Sequence, residues 1–247
     1  MATQPLILFA GDTHGRFHHL EEVVLRLRPD ALVLLGDIQA KSPLERELGA
    51  ILDKTEVWWI HGNHDTDSES DHDNLFESAL ADRNLHGRVV EVAGVRIAGL
   101  GGIFRGRIWH PTEGMRYESP EDFMARCTEE DPWRLGLPLR HRSSIFPEDY
   151  YGLVGQQAEI LVTHEAPSCH PNGFEAIDEL ARSLGVETAF HGHHHDRLDY
   201  SACWTGLGFK AYGVGLRGVT RLDGEVLISG QQDQHRLFRQ ALIGCGQ

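Results

Sequence analysis

Cysteine is scarce in this chain. The four present, Cys127, Cys169, Cys203 and Cys245, make no C-x-x-C pair and no zinc-finger spacing, which argues against a disulfide framework or a thiolate metal site. Each reads more simply as a small hydrophobe. Long apolar runs are also missing. The opening "MATQPLILFAGDTHG" has no basic stretch, and its apolar run stops at Gly11 and Asp12. Neither a signal peptide nor a membrane span is expected there, and a cytoplasmic protein with reduced thiols is. Basic residues are few, 23 against 37 acidic ones, for a net charge of −14. Such a surface repels polyphosphate backbones, so non-specific nucleic-acid binding is disfavoured. No internal repeat or low-complexity linker divides the 247 residues, which are enough for a single domain with a sizeable core.

What is present is a rhythm of short apolar runs ending in polar, glycine-containing clusters. "LILFA" runs into "GDTHG", "ALVLL" into "GDIQ", "VWWI" into "HGNHD", "EILV" into "THEAP" and "ETAF" into "HGHHH". Runs of this length bounded by turn residues read as buried strands. Helical patterns lie between them. "FHHLEEVVLRLR" ends at Pro29, where a helix should stop. In "SPLERELGAILD" the spacing predicts Ser42 as N-cap, Pro43 at the first helical position and Glu45 closing a capping box. "FEAIDELARSLG" puts Phe174, Ile177, Leu180, Ala181 and Leu184 on one stripe, with Gly185 as its C-terminal stop. Strands alternating with helices predict an α/β fold with a parallel or mixed central sheet.

The stretch from about 104 to 150 breaks the rhythm. Rich in arginine and aromatics, including Arg105, Arg107, Trp109, Arg140 and Tyr150, it reads as an elaborated insertion between two core strands. The acidic run "DTDSESDHD" at 65–73 reads as a solvated loop, with Asp73 capping a short helix. After residue 200, glycine-rich sequence reads as closing strands and turns.

Functional groups in α/β sheets gather past the carboxyl ends of strands. Here those ends carry Asp12, His14, Asp37, Asn63, His64, His164, His193 and His195. Carboxylate, imidazole and amide oxygen without sulfur suit a borderline divalent cation such as Mn²⁺, Zn²⁺ or Fe²⁺. Asp12 and His14 are two apart, as are His193 and His195. In extended backbone such pairs point the same way and reach one ion. Asp37 is placed to bridge two cations.

The blocks "GDTHG", "GDIQ", "GNHD", "THEAP" and "GHHH" resemble, in order, the motifs of the calcineurin-like metallophosphoesterases, across residues 11–195. The resemblance implies a two-sheet β-sandwich flanked by helices. It implies two divalent cations, Mn²⁺ foremost with Fe, Zn or Ni as alternatives. One would be held by Asp12, His14, Asp37 and His195, the other by Asp37, Asn63, His164 and His193. A hydroxide shared by the cations would attack a small phosphodiester, a nucleotide being one candidate. His64 resembles the family's general acid, and Asp65 is expected to orient it. The alternatives are a phosphomonoesterase, a protein phosphatase or a non-catalytic scaffold of the same fold. "GDIQ" lacks the longer G-D-x-V-D-R-G of the Ser/Thr protein phosphatases, which counts against that branch.

Other histidines are expected to be structural. His18, His19, His72, His86, His110, His141 and His235 are assigned to surface or loop positions. His61 is assigned either weak phosphate contact or none. His191 is placed inside the sheet edge, and His194 is turned away from the metals by strand alternation. Arg16, Arg105 and Arg107 are the candidate substrate contacts, with the 104–150 insertion setting substrate choice.

Overall fold

The computed structural model describes residues 5–233; Cys245 and His235 lie outside them. The first three apolar runs form β1 (Ile7–Ala10), β2 (Ala31–Leu35) and β3 (Glu56–Ile60). The next strands are β4 (Arg88–Val92), β5 (Val95–Leu100) and a small hairpin of β6 (Trp109–His110) and β7 (Gly114–Met115). The two remaining expected strands are β8 (Ile160–Thr163) and β9 (Thr188–His191), and β10 (Lys210–Gly213), β11 (Val219–Arg221) and β12 (Val226–Ile228) close the fold. One five-stranded sheet has the order β12-β11-β1-β2-β3, the other β10-β9-β8-β5-β4. β1, β2 and β3 run parallel in the first sheet and β10, β9, β8 and β5 in the second, and antiparallel strands complete one edge of each, β11 and β12 in the first and β4 in the second.

Alternation along the strands sorts the apolar residues into three layers of core. Ile7, Phe9, Val33 and Ile60 of the first sheet meet Ile97, Val162 and Phe190 of the second. Phe9 and Phe190 stack across that interface with ring centroids 3.8 Å apart. On the outer face of the first sheet, Leu8, Leu32 and Leu34 pack on Leu20, Val23 and Val24 of α1 (His18–Leu27). The result is the expected two-sheet sandwich flanked by helices. All five ligand-bearing loops leave its same end, because β1, β2, β3, β8 and β9 each hand the chain over at their carboxyl ends.

Helix starts differ from expectation. α2 is only Leu44–Glu47, with Pro43 as N-cap and no side-chain cap. Ser42 instead donates through both its N–H and its hydroxyl to Glu47 Oε1, each at 2.9 Å. Most of the acidic run belongs to α3 (Glu69–Phe76), capped by the Ser68 hydroxyl, which accepts from Asp71 N–H. Asp73 sits inside that helix and takes Arg134, so it caps nothing.

The insertion lies between β5 and β8. It carries α4 (Pro120–Arg126) and leads into α5 (Pro147–Leu153). Its Ile108, Trp109, Phe123 and Phe146 share the outer core of the second sheet with α6 (Glu175–Leu184). Of the expected stripe, Ile177, Leu180, Ala181 and Leu184 are buried in α6, Phe174 is its partly buried N-cap, and Gly185 ends it in left-handed backbone. A short α7 (Trp204–Leu207) precedes β10. No helix among the described residues is long and apolar enough to cross a membrane.

Candidate metal centre

Asp12, His14, Asp37 and His195 offer one ligand atom each, all within 4.8 Å of one another, and Asp37, His164 and His193 form a second such group. Asp37 belongs to both. His195 Nε2 lies 3.2 Å from Asp12 Oδ2, and His164 Nε2 lies 3.3 Å from Asp37 Oδ1. Asn63 Oδ1 is buried without a hydrogen-bond partner among the described residues.

These side chains converge for a different reason than alternation. β1 ends at Ala10 and β9 at His191, so the paired residues stand in loops. His14, Asp37, His193 and His195 have φ of 43°, 46°, 69° and 60°. Left-handed backbone at non-glycine residues costs about 1–3 kcal/mol each and persists where the surroundings enforce it. Here it folds each loop back over the sheet ends. Close approach completes the geometry: a Cβ at Gly62 would land on Asp37 Oδ1, and one at Gly192 on Asp12 Oδ1.

The donor set fits divalent cations. His164 Nδ1 lies 2.8 Å from Leu35 O, so the neutral imidazole donates there and turns the Nε2 lone pair into the site; Nε2 and Asp12 Oδ2 are both buried without a hydrogen-bond partner among the described residues. His14 Nδ1–H donates to Gln39 Oε1 at 2.6 Å, and its Nε2 faces His195 Nε2 at 3.1 Å. Buried acceptors without donors are costly unless a cation takes them. Charge agrees. Burial alone would lower the His164 pKa, but Asp37 and Asp12 outweigh it and hold it up at about 10. The carboxylates therefore demand positive charge. Burial also pushes Asp12 up to about 7 and His193 down to about 3. A neutral imidazole is the form that ligates metal.

His64 stands at the rim, half exposed, its ring centroid 5.6 Å from that of His14. Its backbone N–H donates to Asp37 Oδ1 at 2.8 Å. Asp65 does not touch its imidazole. Buried, Asp65 accepts from Gln39 N–H at 2.7 Å and Gly62 N–H at 2.8 Å, tying the loop after β2 to the loop after β3. Asp67 holds the ring instead, with Oδ2 2.6 Å from Nδ1. Asp67 is hidden in the sequence because the acidic run around it reads as solvated. Gln39 stands within "GDIQ" with no expected role, yet it fixes the His14 tautomer.

The expected arginine contacts separate. Arg16 is exposed in the turn bearing Asp12 and His14. Arg107 is committed to Glu129 at 2.6 Å and Glu130 at 3.2 Å. Arg105 is half-buried, its Nε without a partner among the described residues.

Several histidines are more buried than expected. His72 and His141 lie in the interior, not on the surface. His61 is buried against His86 and Phe76. His191 ends β9 inside the sheet, 3.1 Å from Tyr200 Oη. His194 stacks on His170 at 3.8 Å and joins Glu165 and His193 in a third group of ligand atoms within 4.8 Å of one another, so it is not turned away from His193 as strand alternation predicted. His170 draws no attention in the sequence, since it stands outside every block.

A sequence profile described as calcineurin-like phosphoesterase matches residues 5–197. An uncharacterized protein of Haemophilus influenzae is 42% identical over 231 residues, which cover 94% of this chain and all of that one. Among solved structures, TT1561 of Thermus thermophilus superposes with a TM-score of 0.56 at 14% identity, over 92% of this chain and 99% of that one. That likeness concerns the fold.

Proposed function

The chain belongs to the calcineurin-like phosphoesterases, metal-dependent hydrolases of phosphate esters, and we propose that it hydrolyses a small phosphodiester at a dinuclear centre. The observation that carries this reading is the meeting of two carboxylate–imidazole groups at Asp37, with buried acceptors left bare around them. In it, Asp12, His14, Asp37 and His195 hold one cation, and Asp37, Asn63, His164 and His193 the other. Mn²⁺ is the proposed ion, since the donors are oxygen and imidazole without sulfur. When bound, such a pair supplies a hydroxide nucleophile near neutral pH and neutralises the phosphoryl oxygens.

The chain's own residues do the rest. Gln39 and Leu35 O orient His14 and His164 so that Nε2 of each faces the ions. Burial keeps the imidazoles of His193 and His195 neutral. His64, exposed beside the cluster, gives a proton to the departing alkoxide. Asp67 holds that imidazole protonated and fixes its plane. In this reading Arg16 and Arg105 meet substrate, and the 104–150 insertion shapes what enters.

The test is turnover of bis-p-nitrophenyl phosphate and p-nitrophenyl phosphate by metal-stripped protein given Mn²⁺. Faster turnover of the diester supports the reading. Faster turnover of the monoester replaces it with a phosphomonoesterase, and turnover of neither with a scaffold.

A further inference from the structure

Beside the metal centre the insertion forms a cleft of about 570 Å³, lined by Arg105, Arg107, Arg140, Glu129, Glu130 and His141. Glu130 gathers most of the charge in it. It accepts from Arg107 Nε at 3.2 Å, Arg140 Nη2 at 2.7 Å and His141 Nε2 at 3.0 Å. Glu129 takes a second edge of Arg107 at 2.6 Å. Three guanidinium groups thus face two carboxylates, and the lining keeps one positive charge in a chain of net −14.

That charge belongs to Arg105. The only hydrogen bond its guanidinium makes among the described residues is a long one, Nη2 to Ser143 Oγ at 3.4 Å. Its Nε is buried with no partner. A half-buried guanidinium without a carboxylate is costly, and an anion would relieve it. Nor is Arg105 loose. Its carbonyl accepts from Ile108 and Trp109 at 2.7 and 2.8 Å, closing a tight turn. The preceding Phe104 N–H donates to Glu165 Oε1 at 3.0 Å, and Glu165 follows His164. Arg105 is therefore pinned to the edge of the metal centre, within electrostatic reach of Asp67, Glu165 and Arg140.

Direction follows from Ser143. Ser143 Oγ, which Arg105 reaches at 3.4 Å, lies 2.7 Å from Thr66 Oγ1 in the turn between His64 and Asp67, so with His64 as the proton donor Arg105 lies on the leaving-group side. Resting on the hydrolase reading above, we propose that Arg105, with Arg140 at the cleft rim, binds a second phosphate carried by the leaving group. The substrate is then a phosphate ester whose departing alcohol is itself phosphorylated. Planar guanidinium forks suit this, because they bind phosphate through paired charge-assisted hydrogen bonds. Glu130 holds the Arg140 fork in place before substrate arrives.

Three dinucleotides test it. ApA has no terminal phosphate, whereas pApA and ApAp carry one on the 5′ or the 3′ nucleoside, which covers either direction of cleavage. With Mn²⁺-loaded wild type, kcat/KM for pApA or ApAp is expected to exceed that for ApA by about tenfold or more. Arg105→Gln and Arg140→Gln should bring that ratio close to unity. Arg140 is exposed at the rim, so its variant keeps the test open if Arg105→Gln fails to fold. Calorimetric titration of the metal-free protein with the same dinucleotides gives a readout without turnover. There, tighter binding of a phosphate-bearing dinucleotide that both variants abolish is expected. Equal kcat/KM for all three, with bis-p-nitrophenyl phosphate turned over, overturns the subsite and leaves the hydrolase intact. If nothing is turned over, the hydrolase reading fails, and equal calorimetric affinities would overturn the subsite separately.

Discussion

His64 Nδ1 lies 2.6 Å from Asp67 Oδ2. Burial alone would lower the His64 pKa, but the hydrogen bond to Asp67 and the charge of Asp37 outweigh it and raise it. Asp67 thus does for His64 what the neighbouring Asp65 was expected to do. Three residues on, one short 3-10 turn (His64–Thr66) brings its carboxylate back to the imidazole. The residue next along points into the protein.

Asp67→Asn should move the alkaline limb of the pH–rate profile. With His64 as the acid, activity falls as pH rises through its raised pKa. An amide no longer stabilises the imidazolium, so the fall should begin at a lower pH. Measured on an alkyl ester, an unmoved limb would remove Asp67 from the role. The same variant on bis-p-nitrophenyl phosphate should show less effect below the limb, since p-nitrophenoxide leaves without help.

Gly62→Ala should empty the centre without touching a ligand. The added methyl would occupy the place of Asp37 Oδ1 and crowd the His164 ring. Metal analysis after dialysis against Mn²⁺ should show a fall from about two equivalents to below one. Wild-type occupancy in this variant would mean that the loop after β3 can retreat.

Ser68→Ala should cost about 1 kcal/mol of stability, the usual loss of an N-cap. Denaturant unfolding measures it. Asp73→Ala should not remove a cap, because Asp73 lies within α3. A Ser68 variant as stable as wild type would show that α3 is held by its packing alone.

The sequence carried the fold where burial was simple. Short apolar runs such as "ALVLL" and the stripe of α6 are legible because strands buried on both faces and amphipathic helices have distinct periods. The residues brought together at the centre were legible too, since each follows such a strand. What failed was local geometry. His14, His193 and His195 converge through left-handed loops, which no period of two describes. Ser42 and Asp73 satisfied capping patterns that Pro43 and Ser68 filled instead. His72 and His141 were placed outside because histidine is polar, yet each finds a partly buried acceptor or ring: Asp73 and Phe76 for one, Glu130 for the other. Such pairings join residues distant in sequence, or depend on rotamers, and composition does not reveal them.

Asp37 is where the two groups of side chains meet, so its removal is the sharpest trial of a shared, catalytic pair of cations. Wild type and Asp37→Ala would be dialysed against Mn²⁺, assayed for metal, and given bis-p-nitrophenyl phosphate. About two equivalents with turnover in wild type is predicted, against less than one with turnover lost by about a thousandfold in the variant. Full occupancy in Asp37→Ala, or undiminished turnover by metal-free wild type, would contradict it.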